Sequence, residues 1–264
     1  ETRLRAAASG VLPNGKPVVV NADGTVSVVS GADQAIGSEV VFENATVSAK
    51  SSTFDSNSNK VVIAYQDAGN SNYGTAVVGT VNGTSISFGS VVVFESAGVN
   101  YVSCTFDSNS NKVVISYTDD GNSSYGTAIV GTVSGTNISF GTAVVFESAN
   151  SVLSVAAFDS NSNKVVIAYS DYPNGQYGTA IVGTVSGTNI SFGTAVVFES
   201  ASIGTIGHTI TFDSNSNKVV IAYQDVGNSS YGTAIVGTVS GTGISFGTAV
   251  VFESATSTYP AATF

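Results

Sequence analysis

The sequence predicts an all-β protein, a five-bladed β-propeller with four antiparallel strands per blade, and three observations carry that expectation. A near-identical unit recurs about every 52 residues. Each unit holds four runs rich in Val, Ile, Tyr, Phe and Thr, divided by Asn, Asp, Gly and Ser. The two ends of the chain read as complementary parts of one further unit.

The repeat is exact enough to number. Phe-Asp-Ser-Asn-Ser-Asn-Lys-Val-Val-Ile starts at Phe54, Phe106, Phe158 and Phe212, and the sequence stops at Phe264, giving steps of 52, 52, 54 and 52. A second marker, Val-Phe-Glu, places its Phe at 42, 94, 146, 198 and 252. Within one unit, residues 60–67 read KVVIAYQD, residues 73–81 YGTAVVGTV and residues 85–95 SISFGSVVVFE, each predicted as a strand; residues 50–54 supply a short fourth. The joints Asp55-Ser56-Asn57-Ser58-Asn59, Ala68-Gly69-Asn70-Ser71-Asn72 and Asn82-Gly83-Thr84 suit hairpin turns.

Both faces of the middle strand are apolar, with Val61, Ile63 and Tyr65 alternating against Val62 and Ala64. Such a sheet has to be covered twice, and blades stacked face to face around an axis do that. The end of the chain reads as an inner strand without its partners, whereas residues 16–43 read as outer strands passing through Asp23-Gly24. One domain over residues 14–264 is therefore expected, preceded by a tail or linker at 1–13. A composite blade of residues 16–43 plus 254–264 would close the ring and leave no free edge.

Composition narrows the function classes. Only 10% of residues are charged, so most strand faces must be buried. A net charge of −10 with eight Lys and Arg provides no basic stripe for a phosphate backbone, which argues against nucleic acid and anionic membranes. Apolar runs such as Val61-Val62-Ile63-Ala64 fall far short of the roughly 18 residues that span a bilayer, so no membrane insertion is expected. Cys104 is the only cysteine, which excludes an intrachain disulfide and a thiolate metal cluster. Methionine is absent and the chain starts at Glu1, read as a processed or trimmed end, with no signal peptide in residues 1–13.

The copies differ in one place. Strands two to four are nearly identical, while the segments between Val-Phe-Glu and the marker Phe diverge: NATVSAKSST, SAGVNYVSCT, SANSVLSVAA, SASIGTIGHTIT and SATSTYPAAT. In a propeller this stretch is the loop from one blade's outer strand to the next blade's inner strand, lining the channel and one face. A fixed scaffold would then display a varied surface, with Lys50, Asn100, Tyr101, His208 and Tyr259 as contact candidates. The competing explanation is drift at positions under weak packing demands.

Two repeated constellations carry possible chemistry. The Asp55-type turn, recurring at Asp107, Asp159 and Asp213, has oxygen ligands at alternate positions. It lacks the Gly and the later carboxylate of a calcium loop, and side-chain bonds to backbone explain it without a metal. At the second hairpin Asp67, Asn70 and Tyr73 recur as Asp119, Asn122 and Tyr125, as Asp171, Asn174 and Tyr177, and as Asp225, Asn228 and Tyr231. Tyr faces beside Asp and Asn acceptors suit sugar hydroxyls, and equally suit a satisfied turn whose Tyr packs on the next blade. No metal site and no cofactor are expected, since one His and one Cys cannot build a typical zinc site. Catalysis is not expected either: glycoside hydrolysis needs paired carboxylates at the channel, and the five variable segments contain no Asp or Glu.

The repeat text FDSNSNKVVIAYQDAGNSNYGTAVVGTVNGTSISFGSVVVFES resembles tandem repeats of virion and tail-fibre proteins of marine bacteriophages. Residues 8–26, ASGVLPNGKPVVVNADGTV, resemble openings of such phage structural proteins. The WD-repeat signature is missing, as the chain has no Trp. The resemblance implies an extracellular, virion-associated module that binds a host-surface glycan or protein receptor. The alternative it leaves open is a structural or assembly module binding another virion protein.

Overall fold

A computed structural model describes residues 7–8, 10–12, 18–28, 37–204 and 207–263. It divides into two compact units, residues 1–39 with 83–85, and residues 40–82 with 86–264. Among the described residues no helix is long and apolar enough to cross a membrane.

In the first unit, β1 (Val18–Val20) and β2 (Val26–Val28) form an antiparallel hairpin with Val19 opposite Ser27. The predicted Asp23-Gly24 turn joins them. Asp23 Oδ1 accepts from the Thr25 amide at 2.9 Å, and Gly24 takes a φ of 81° that other residues rarely adopt. Of the rest of the proposed composite blade, residues 37–43 and 257–263 form no strand and residues 254–256 end a strand, Val250–Thr256, that pairs with Tyr231–Ser240, while residues 16–17, 29–36 and Phe264 lie outside the described residues.

The second unit carries the repeats as β-structure throughout. The first comprises β3 (Val47–Asp55), β4 (Lys60–Asp67), β5 (Tyr73–Asn82) and β6 (Ser85–Phe88). The next holds β7 (Val92–Asp107), β8 (Lys112–Asp119), β9 (Tyr125–Ser134) and β10 (Asn137–Phe140). Then follow β11 (Val144–Asp159), β12 (Lys164–Asp171), β13 (Tyr177–Ser186) and β14 (Asn189–Phe192). The last comprises β15 (Val196–Ser202), β16 (His208–Asp213), β17 (Lys218–Asp225), β18 (Tyr231–Ser240), β19 (Gly243–Phe246) and β20 (Val250–Thr256). Hydrogen bonding runs in the order β14-β13-β12-β11-β9-β8-β7-β5-β4-β3, and separately β16-β17-β18-β19.

Two expectations change. The stretch between Val-Phe-Glu and the marker Phe is not a loop in the second and third repeats but part of the continuous 16-residue strands β7 and β11. The first half of β7 pairs with β5 and the second half with β8, so one strand serves two repeats. The run at 85–95 is not one strand: it breaks after Phe88 and resumes at Val92. The break begins at Gly89, where only glycine fits, since a Cβ there would lie 1.9 Å from the Thr136 carbonyl oxygen of the next repeat. Gly141 and Gly193 meet Thr188 and Thr242 in the same way.

The core lies between successive repeats. Val62, Ala64, Ala76 and Val78 on one face of the first repeat pack against Val113, Ile115 and Tyr117 of the second. Val114, Ala128 and Val130 of the second meet Val165, Ile167 and Tyr169 of the third, and Val166, Ala168 and Val182 meet Val219, Ile221 and Tyr223. The double covering demanded by two apolar faces is met by neighbours of the same kind.

One aromatic wedge recurs at each of these junctions. Phe94 contacts both Tyr117 and Phe140 of the next repeat, with ring centroids 5.2 and 5.7 Å away. Phe42, Phe146 and Phe198 repeat the arrangement with Tyr65 and Phe88, Tyr169 and Phe192, and Tyr223 and Phe246. Each tyrosine hydroxyl donates to the glutamate following the wedging Phe; Tyr169 reaches Glu147 at 2.9 Å. The wedge lies flat on the Gly of Tyr-Gly-Thr, where a Cβ on Gly126 would come within 2.5 Å of the Phe146 ring. In the last repeat the same face is open: Phe252 is 56% exposed and Val236 46%, against 8% for Phe146 and 0% for Val130.

This contrast yields a direct measurement. Phe146→Ala should cost about 3–5 kcal/mol by urea denaturation, since a buried aromatic is deleted at a packed junction. Phe252→Ala should cost about 0.5 kcal/mol where that face stays open, and as much as Phe146→Ala where residues 16–43 close over it.

Candidate functional site

The variable segments share one backbone irregularity. In the first three, ladder pairing skips two residues, between Ser48 and Ser51, Asn100 and Ser103, and Val152 and Val155. The first skipped residue takes a left-handed φ: 42° at Ala49, 50° at Tyr101 and 56° at Leu153. The equivalent Gly207 and Tyr259 have φ of 111° and 51°. Positive φ is disfavoured for residues with a Cβ, so the bends at Ala49, Tyr101, Leu153 and Tyr259 each carry strain on the order of 1–3 kcal/mol, which Gly207 avoids. Alanine, leucine, glycine and two tyrosines thus occupy equivalent bends of the chain.

The bulges are tied to each other across repeats. Ser51 Oγ accepts from the Cys104 amide and Ser103 Oγ from the Ala156 amide, both at 3.1 Å, while Ser154 Oγ donates to the Tyr101 carbonyl at 3.0 Å. They border a cavity of about 290 Å³ lined by Lys50, Tyr101, Val102, Leu153, Ser154 and His208. Of the sequence candidates, Lys50, Tyr101 and His208 come together here. Tyr259 is 74% exposed, and its ring would lie 3.4 Å from a Cβ on Gly207, one residue from His208.

The candidates differ in availability. Asn100 Nδ2 donates to Asp120 Oδ2 at 2.7 Å, which anchors it to the hairpin turn of its own repeat. His208 is buried, with Nε2 3.2 Å from the Ala168 carbonyl oxygen. Burial pushes its pKa down to about 4, so the ring is neutral at pH 7. Burial likewise pushes the Cys104 thiol up to about 11, against the Ser51 hydroxyl, which pulls it down.

The second-hairpin constellation does not line this cavity but adjoins the variable segments, in the turns after β4, β8, β12 and β17, with Asp67 paired to Val47 and Asp119 to Val99. Asp67 stands opposite Tyr73, Asp119 opposite Tyr125, Asp171 opposite Tyr177 and Asp225 opposite Tyr231. Asp67 Oδ1 accepts from the Gly69 amide at 2.9 Å and Asp225 Oδ1 from the Asn228 amide at 3.0 Å, so these carboxylates face their own turns. Burial pushes the Asp119 carboxyl up, and burial together with the Asp119 charge does the same to Glu95. Asn70, Asn122, Asn174 and Asn228 are exposed, and the four tyrosines half-buried.

The Asp55-type turns use both carboxylate oxygens. Asp55 Oδ1 accepts from the Asn57 and Ser58 amides at 2.9 and 3.0 Å, and Oδ2 from the Ser58 hydroxyl at 2.6 Å. Asp107, Asp159 and Asp213 repeat the pattern.

Comparison with known proteins returns no family model that matches this chain and no matching curated protein. The site therefore has to be read from its own residues. Sequence reasoning missed Val102, Leu153 and Ser154 as lining residues. The signal available was their place beside Tyr101, or equivalent to it, in an otherwise copied unit.

Five residues or so beyond the bulges the same strands border a larger cavity, of about 700 Å³. Segments 52–54, 105–106, 156–158 and 210–212, together with Thr263, contribute to its wall.

His208 provides a pH test. Its folded pKa lies below the ordinary 6.5, so the unfolded chain takes up the proton first and stability falls as pH drops from about 6.5 towards 4. The full loss should be on the order of 3 kcal/mol. Denaturation midpoints measured between pH 7 and pH 5 should show the slope, and His208→Gln should flatten it.

Proposed function

We propose that the chain is a non-catalytic recognition module, a five-bladed β-propeller that binds a host-surface glycan or receptor for a phage particle through its variable channel mouth. The observation that carries the reading is the set of equivalent left-handed bends, which hold different side chains around one cavity on an otherwise copied scaffold. A rigid frame with interchangeable contacts is what recognition requires, and side chains can vary there without rebuilding the core. The mouth offers an aromatic ring at Tyr101, a cation at Lys50 and serine hydroxyls, groups that suit sugar rings and their substituents. A non-catalytic role accords with variable segments that contain no carboxylate and with a buried, neutral His208.

Five blades fit the larger cavity, whose wall draws on five successive inner segments. Closure through residues 16–43 and 254–264 belongs to the same reading. Deleting residues 259–264 should then lower the thermal unfolding temperature by far more than trimming a frayed end. Unchanged unfolding would reject the closure.

An alternative, an assembly module that binds another virion protein, draws on the open face at Val236 and Phe252. A binding assay on host cells separates the two. Replacing Tyr101 and Tyr259 together by Ala should weaken attachment by an amount comparable to a hot-spot loss, on the order of 2 kcal/mol, with the unfolding transition nearly intact. Lys60→Ala and Lys112→Ala should have little effect. If only the lysine variants lose attachment, the mouth is not the binding face.

A further inference from the structure

The larger cavity, at the other end of the inner strands from the bulges, has a different chemistry from the mouth. Its wall contains Ser, Thr, Ala, Ile and Phe and no charged side chain. Four rings, Phe54, Phe106, Phe158 and Phe212, come to it from equivalent positions of four repeats. Phe106, Phe158 and Phe212 also pack against the cores between repeats, whereas Phe54 is 55% exposed. The wedges that join repeats use other aromatics, so these rings are not committed to one another.

The hydroxyls supply a second, independent observation. Among the described residues, the side chains of Ser52, Thr53, Thr105, Thr211 and Thr263 have no protein hydrogen-bond partner. Nearby Ser51, Ser103 and Ser154 all bond the neighbouring repeat. The cavity thus combines apolar ring surfaces with free donor–acceptor groups on strands whose ends are pinned by the Asp55-type turns.

We propose that this cavity is a second binding site, for a short uncharged oligosaccharide. A charged ligand would lose hydration without gaining a counter-charge, and a purely apolar one would leave the hydroxyls unpaired. A neutral sugar answers both groups, laying its C–H faces on the phenylalanine rings and exchanging hydrogen bonds with serine and threonine hydroxyls. The volume of about 700 Å³ lies within the roughly 300–1,000 Å³ usual for ligand pockets. The ring recurs in four repeats and a hydroxyl in three of them, the third offering Ala156 and Ala157 instead, so a ligand of repeated units meets largely repeated contacts. This site lies beyond the mouth of the proposed recognition surface and does not depend on it.

Saturation-transfer NMR on the full chain, with its aromatic protons irradiated and maltotriose or cellotriose as the probe, tests the proposal. Transfer to at least one trisaccharide is expected, insensitive to added salt. Phe54→Ala, at an exposed ring, should weaken binding about tenfold. The double variant Thr105→Val, Thr211→Val keeps side-chain shape and strand preference while removing two hydroxyls, and should weaken it at least as much. Lys112→Ala, outside both cavities, should leave the signal unchanged. No transfer from either sugar would overturn the proposal, as would transfer that survives both sets of substitutions or is lost in Lys112→Ala. Loss of host attachment in the paired tyrosine variant bears only on the mouth, so the two readings fail separately.

Discussion

The structure of the repeats depends on the wedge of one phenylalanine between a tyrosine and a phenylalanine of the following repeat. A four-stranded sheet with two apolar faces is unstable alone, and the wedge is the point where one sheet grips the next. Its parts come from distant stretches of a 52-residue unit: the Val-Phe-Glu ring, the strand-two tyrosine, the Ile-Ser-Phe ring and the Tyr-Gly glycine beneath. Removing the glycine's small size or the tyrosine's hydroxyl partner disturbs the same contact. The near-identity of these stretches among the copies follows, because a change in one part needs matching changes in the next repeat.

The same constraint explains why variation collects in the inner segments. A residue at a bulge has no ladder partner on the adjacent strand and is not part of the aromatic wedge, so its side chain is released from the wedge geometry. The bend itself persists across the copies although alanine, tyrosine and leucine all disfavour it. Serine bonds between neighbouring segments hold those bends in place. A strained backbone kept constant beneath changing side chains links packing to the proposed recognition role, in which rigid positions let side chains alone set what is bound.

Electrostatics adds little to cohesion. The Asp55-type carboxylates are matched within their own turns and Tyr169 by Glu147 across a junction, whereas buried atoms such as Ser116 Oγ, Ser170 Oγ and His208 Nδ1 have no partner among the described residues. At the mouth, Lys50 contributes a cation where the variable segments contain no acid. His208 contributes a neutral ring whose burial couples the site to pH without placing a charge in it.

The sequence by itself determined the all-β class, the repeat length, the turns and the two-sided apolar strands, because hydrophobic alternation and turn chemistry are local. It also marked the variable segments through the contrast among copies, which brought Tyr101, His208 and Lys50 into view. Only the tertiary structure decided that β7 and β11 run unbroken from one repeat into the next, that Gly89 interrupts the fourth strand, and that Asp67 and Asp225 face inward to their own turns. Those outcomes depend on which backbone meets which across repeats: Gly89 needs the Thr136 carbonyl against it, and a strand changes partner only where a neighbouring edge is present to receive it. Contacts between residues more than 40 apart leave no periodic trace in the chain, so they appear only once the sheets are packed.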